Sequence, residues 1–214
     1  NLPTTYADWS LVPIFTDSYY QPLISTLKNS GLTENQNLFT FGYDFRKSIV
    51  DNANSLNTFL TDKTPGKKAN IVAHSMGGLV ARYCFEKVTG CAGKIGKIVT
   101  AGTPHQGLIK AYQLWEGGQF DTDPTLKFME EIALHATNLP YLTDKDIIQN
   151  RFPGVKDLLP TFDYISGKPY SSLSSQAKNP VLESLQPFGA NFISQTTPLS
   201  GNSQNTYSGF STTT

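Results

Sequence analysis

Between Ala69 and Val88 the chain passes from an apolar run, Ala69-Asn70-Ile71-Val72, into residues with helical spacing. The bend between them is Ala73-His74-Ser75-Met76-Gly77, and Leu79, Val80, Tyr83, Cys84 and Val88 follow on a 3.6-residue period. A strand that turns into a helix without a loop strains the residue at the bend and brings neighbouring backbone very close. Small residues two before and two after the serine, Ala73 and Gly77, meet that demand, and Gly78 gives further room. The pentad by itself is weak, arising in roughly one chain in six of this size at average composition. Its placement between strand and helix is what makes it specific. There it reads as a nucleophile elbow with Ser75 as the candidate nucleophile; the plainer alternative is a tight turn with an inert serine.

The flanking segments extend the alternation. Residues 18–31 read as a helix with Tyr20, Leu23, Ile24 and Leu27 on one face and Gly31 as the stop. The short aromatic run Leu38 to Tyr43 reads as a strand. Ser48 with Asp51 three residues on is a capping signature, and Ile49, Ala53, Leu56 and Leu60 carry the helix to Pro65-Gly66. Lys97 to Ala101 is the next strand, stopped by Gly102-Thr103-Pro104. Strands alternating with helices predict an α/β fold, a parallel sheet covered by helices. Its reactive groups belong beyond the carboxyl ends of the strands, where Ser75 and residues 102–107 fall.

From Leu108 to Pro160 only helical signals are found: Leu108 to Trp115, a helix opened by Asp123-Pro124, and Thr143 capping Asp144 to Gln149. An excursion of this kind between sheet strands has the form of an inserted lid. Its Tyr112, Trp115, Phe120, Phe128, Met129 and Tyr141 either form the lid's own small core or line an apolar pocket. The expected organisation is a core segment over 1–104, a helical cap over 105–160, and a return to the core with a polar tail over 161–214.

Composition narrows the function classes. The 214 residues carry 17 basic and 17 acidic side chains without a Lys/Arg cluster, which argues against a nucleic-acid partner. No apolar stretch approaches the ~20 residues that span a bilayer. No cysteine–histidine spacing suits zinc, and no cofactor motif is present. Cys84 and Cys91, the only cysteines, allow either a loop-to-helix disulfide or two free thiols. The low charge and the Asn/Ser/Thr-rich surface lean towards a secreted or cell-surface setting, and a disulfide would fit one.

Five motifs in order resemble the lecithin:cholesterol acyltransferase-like family of α/β-hydrolases, over about Trp9 to Pro160. Val12-Pro13 with Tyr20 to Ile24 and Lys28 to Gly31 is similar to the segment ahead of that family's fourth strand. Phe41-Gly42-Tyr43-Asp44-Phe45-Arg46 resembles its Tyr-Asp-Trp-Arg signature, with Phe45 in place of tryptophan. Ile71 to Gly78 matches the elbow, with Ala73 where many members carry glycine. Gly102 to Gly107 looks like the Gly-(Ser/Ala/Thr)-Pro loop before the lid, and Phe152 to Pro160 like the Leu-Leu-Pro segment after it. The resemblance implies a partial α/β-hydrolase fold with a lid, and a lipase, phospholipase or O-acyltransferase acting on lipid esters, at a membrane or lipoprotein-like surface. Ser75 would form an acyl-enzyme, with the Met76 backbone N–H as one oxyanion-hole donor. Asp44 and Arg46 would fix a loop through an ion pair.

A serine nucleophile needs a general base, and the base an orienting acid, in the chain order Ser, Asp/Glu, His. Of the three histidines, His74 adjoins Ser75 and points away from it, His105 has only the mid-helix Glu86 between itself and Ser75, and His135 sits beside Glu130 and Glu131. None lies at the end of a late strand. The expectation is that the acid and base follow Thr214, in a larger enzyme. A catalytically dead hydrolase-like binding module is the alternative.

Overall fold

The computed structural model describes residues 13–117 and 143–200. Phe120, Phe128, Met129, Glu130, Glu131, His135 and Tyr141 lie outside them, as does the helix expected at Asp123-Pro124. In chain order the elements are α1 (Pro13–Asn29), α2 (Ile49–Lys63), β1 (Ala69–His74), α3 (Met76–Lys87), β2 (Ile95–Ala101) and α4 (Ile109–Gly117). These are followed by α5 (Asp144–Arg151), α6 (Pro153–Lys156), α7 (Pro180–Ser184), α8 (Ala190–Gln195) and β3 (Thr196–Leu199). The three strands form a parallel sheet in the order β1-β2-β3, with Ala73 opposite Thr100 and Thr100 opposite Pro198.

One face of the sheet carries the core. Ala53, Leu56 and Leu60 of α2 meet Val80, Ala81, Cys84 and Phe85 of α3, over Ala73, Ile95 and Ile98 of the sheet and Phe192 of α8. Each fully buried Leu, Ile or Phe there contributes about 1.5–3 kcal/mol. The expected face of α2 is borne out, and the Ser48 side chain accepts from Val50 N–H and Asp51 N–H as its cap. A disulfide joins Cys84 on α3 to Cys91 at the start of the following 3₁₀ turn, Cα to Cα 5.6 Å, so the two thiols are not free. On the opposite face Val72 and Leu199 are 49% and 55% exposed.

Two expectations are corrected. Leu38 to Tyr43 is not assigned as a strand: beyond an isolated bridge between Glu34 and Leu38 its backbone has no ladder partner among the described residues. A strand exists only when a neighbour supplies hydrogen bonds, and here the aromatic side chains dictate the packing instead. Phe41 lies against Phe59 of α2 and stacks on Tyr43. The first helix begins at Pro13 rather than residue 18, and of its expected apolar face only Ile24 is buried, Tyr20 and Leu23 being about two-fifths exposed at 42% and 41%. Gly31 does stop it: its N–H bonds Lys28 O, and Leu32 N–H reaches back to Leu27 O.

A second cluster unites α4, α5 and the turn after it, with Trp115 packed among Ile147, Ile148, Phe152, Val155 and Leu159. Thr143 caps α5, as the sequence suggests, and Asp146 reciprocates by accepting the Thr143 N–H. Trp115 is thus core, and Tyr112 is partly buried against the same cluster. The chain entering and leaving this region is zipped together by Leu108 N–H to Leu158 O (2.8 Å) and Thr161 N–H to Gln106 O (2.9 Å). Buried Asn179 fastens the exit, donating to Asp157 O and Leu159 O while its own Oδ1 accepts Leu182 N–H.

Asp157 ties this exit segment to α2, its carboxylate accepting Ile49 N–H at 2.7 Å. Burial pushes its carboxyl up to about 6, against the opposing pull of the bonds from Ile49 and Ser48. Because the folded value lies above the unfolded one, the acid form favours folding below pH 4, and that stabilisation is lost as pH rises through 6. A rise from the ordinary carboxyl value to about 6 corresponds to about 2–3 kcal/mol. Asp157→Asn should therefore gain about that much on wild type between pH 4 and pH 7.5, read from urea midpoints. A wild type that gains on the variant with rising pH would mean the ionised carboxylate is the stabilising form.

Candidate active site

Ser75 is the N-cap of α3 at φ 51°, ψ −130°, half-buried at the end of β1. Besides Asn35 it is the one non-glycine among the described residues with positive φ. Such a conformation costs about 1–3 kcal/mol and persists only where its surroundings enforce it. They do so here through two backbone bonds. Ser75 N–H donates to Ala101 O at the end of β2 (2.9 Å), and Ser75 O accepts Gly78 N–H (3.0 Å). Met76, the first residue of α3, has a backbone N–H with no intrahelical acceptor, and its side chain is buried.

The close approach expected at the small residues falls chiefly on Gly78. A Cβ there would lie 2.0 Å from Thr103 Oγ1 and 2.8 Å from Thr103 Cβ, whereas one on Gly77 would meet nothing closer than Tyr43 Oη at 3.5 Å. Tyr43 thus lies beside the elbow, and burial, with the Tyr20 phenol nearby, pushes its own phenol above the ordinary range.

Asp44 and Arg46 make the ion pair implied by the resemblance, bidentate at 2.9 and 2.7 Å. Burial raises the Asp44 carboxyl, and Arg46's hydrogen bonds and charge outweigh it, holding the group below its usual value. Asn52 donates to Asp44 O and Lys47 O, so the loop is held from both sides.

No histidine bonds Ser75 among the described residues. His74 is exposed on the far side of its strand, with Nδ1 3.0 Å from Tyr20 Oη. His105 sits edge-on to Phe188 and Phe192, and burial together with the Arg82 charge pulls it down to about 4, so it is neutral at pH 7. Arg82 escaped sequence reasoning. It is fully buried on α3, bonded to Glu86 Oε1 and the Leu185 carbonyl and lying 3.8 Å above the Phe188 ring. Its position three residues after Leu79, inside an apolar helix, was the available signal. A groove of about 510 Å³ beside Glu86, Lys87 and Phe192 lies at the other end of α3. Twelve helical residues, roughly 18 Å at 1.5 Å per residue, separate it from the serine. It is not the substrate's place at Ser75. Among the described residues no cluster suits a metal ion and no helix is long and apolar enough to cross a membrane.

A parallel sheet whose strand turns through a serine at positive φ into a buried helix defines an α/β fold of the hydrolase type. The sequence matches the family model for lecithin:cholesterol acyltransferase over residues 4–179, and the chain belongs to that family. It is 31% identical over 96 residues to phospholipase A(1) LCAT3 of Arabidopsis thaliana, covering 42% of this chain and 21% of that protein. It is 39% identical over 74 residues to lecithin-cholesterol acyltransferase-like 4 of the same plant, covering 31% of this chain and 13% of the relative. The match therefore spans about a fifth or less of these relatives' lengths. Among solved structures it is similar to the mature Bacillus licheniformis lipase BlEst2, with 21% identity, a TM-score of 0.35, and coverage of 50% of this chain and 47% of that one.

Proposed function

We propose that this chain carries the nucleophile and lid of a serine-dependent lipid-ester hydrolase or O-acyltransferase. The observation that carries the reading is the backbone of Ser75, held at φ 51° with the N–H of Met76, which has no acceptor within α3, beside it. Ser75 Oγ adds to the ester carbonyl carbon and gives its proton to a general base. The carbonyl oxygen becomes an oxyanion facing the Met76 N–H, as preorganised donors require. Collapse of the tetrahedral intermediate breaks the ester C–O bond, the leaving alcohol takes the proton, and the acyl group remains on Ser75. Water or another alcohol then reverses the sequence and removes it. The base and its orienting acid come from outside the described residues, since His74 is engaged with Tyr20 and His105 is packed between phenylalanines.

Residues 105–160 form the cap in this reading, supported by the backbone zipper at 106–108 and 158–161. The substrate is a lipid ester met at a membrane or lipoprotein-like surface, in keeping with the family. The Cys84–Cys91 disulfide favours a secreted or cell-surface setting.

The test is covalent labelling of the intact protein with a fluorophosphonate, followed by peptide mass spectrometry, together with fatty-acid release from phosphatidylcholine vesicles with and without a sterol acceptor. Modification of Ser75 with fatty-acid release is the expected result. Absence of label would favour a binding module on the same fold, and label on another serine would move the nucleophile.

A further inference from the structure

We propose that Thr103 is a positioning residue for Ser75, a side-chain wedge that keeps the elbow strained. This rests on Ser75 as nucleophile for its functional meaning, but its structural content is independent of that. Thr103 follows β2 by two residues, and β2 ends at Ala101, whose carbonyl accepts the Ser75 N–H. The same short stretch of backbone therefore holds the elbow at two points. The Ala101 carbonyl fixes the serine amide, and the Thr103 side chain fills the space left open at Gly78, on the first turn of α3. That space exists only because residue 78 lacks a Cβ: one placed there would fall 2.0, 2.7 and 2.8 Å from Thr103 Oγ1, Cγ2 and Cβ. The neighbouring Gly102 N–H bonds Leu199 O, so β3 backs the turn that carries the wedge.

The hydroxyl supports a steric role. Thr103 Oγ1 is buried and makes no hydrogen bond. A buried hydroxyl without a partner is a net cost to stability, so its volume is the useful part. With the wedge in place, α3 cannot settle towards the end of β2, and the Ser75 backbone cannot relax from φ 51° into the ordinary helical or extended regions. Without it, the first turn of α3 has room to shift, and Ser75 Oγ and Met76 N–H lose their registration.

The test separates strain from chemistry in the intact protein. Ser75→Gly relieves a positive φ and should raise the melting temperature by about 3 °C in the wild-type background. If Thr103 holds the strain, that gain disappears in a Thr103→Gly background, where the elbow has already relaxed. Thr103→Val, which keeps the volume and drops the hydroxyl, should retain the gain. In the second arm, the fluorophosphonate labelling rate is followed well below the melting transition. It should fall 10- to 100-fold in Thr103→Gly, stay within threefold of wild type in Thr103→Val, and fall in Gly78→Ala but recover in Gly78→Ala/Thr103→Gly. An equal Ser75→Gly gain in all backgrounds, or a folded Thr103→Gly protein labelling at the wild-type rate, overturns the proposal. A wild type that takes no label removes Ser75 as nucleophile, while the melting-temperature arm still decides the wedge.

Discussion

On the proposed function, Ser75→Ala and Ser75→Gly should both abolish ester turnover in the intact protein, yet differ in stability. Loss of the nucleophile in a serine hydrolase costs on the order of 10⁴–10⁶ in kcat, leaving what the oxyanion hole and binding supply alone. Both variants share that loss because neither offers Oγ. Their backbones differ. At φ 51°, ψ −130° residue 75 has the dihedrals of the first central position of a type II′ turn, which glycine dominates. Alanine there keeps the Cβ and the strain, whereas glycine removes about 1–3 kcal/mol of it at the expense of a more flexible unfolded chain. The net gain expected for Ser75→Gly is about 1 kcal/mol, a rise of roughly 2–4 °C for a chain of this size, with no gain for Ser75→Ala. Thermal unfolding and turnover measured on the same preparations check both halves. A Ser75→Gly protein no more stable than Ser75→Ala would mean that the elbow is relaxed, and the argument for a strained nucleophile would fail. On the proposed function, a site less stable than it could be is the expected consequence of holding a reactive group in place.

How far this was legible in the sequence depends on the range of the signal. The helix over 49–63 and the elbow were readable because periodicity, a capping serine and a Pro-Gly stop act within a few residues. The run Leu38 to Tyr43 misled because strand formation needs a partner, which local composition does not reveal. The exposed Leu23 misled for the same reason: an apolar stripe is buried only as far as neighbours cover it. The disulfide depends on a 5.6 Å Cα separation that a spacing of seven residues permits without requiring. At the site, the serine was visible and its restraints were not. Thr103 is 25 positions beyond Gly78, and nothing in either short motif says that one fills the space left by the other. Buried Arg82 likewise reads as a helix-surface charge until the segment with Leu185 and Phe188 covers it.

Gly154→Ala should be among the most disruptive single methyl groups in the described structure. A Cβ at that position would lie 2.1 Å from Phe45 O and 2.6 Å from Lys47 O, both backbone atoms and both far inside any tolerated contact. Flexible side chains can yield to such a clash, but this backbone is fastened. Gly154 N–H donates to Arg46 O at 3.0 Å, Asp44 clamps Arg46, and Asn52 holds the carbonyls of Asp44 and Lys47. Asp157, three residues on, accepts the Ile49 N–H at the start of α2. Relief would require the exit segment to separate from the Asp44–Lys47 loop, breaking these bonds and opening the cluster around Phe152 and Val155. Overpacking where neighbours can adjust costs about 1–3 kcal/mol, and here the loss should exceed 4 kcal/mol, enough to unfold a marginally stable chain. Gly93→Ala is the matched control, since an added Cβ there meets nothing within 4 Å and should change stability by less than about 0.5 kcal/mol. Soluble yield and melting temperature of the two variants make the comparison. A Gly154→Ala protein that melts with the control would show that the exit segment can part from the Asp44–Arg46 loop at little cost, and that this loop is not anchored through residues 153–157.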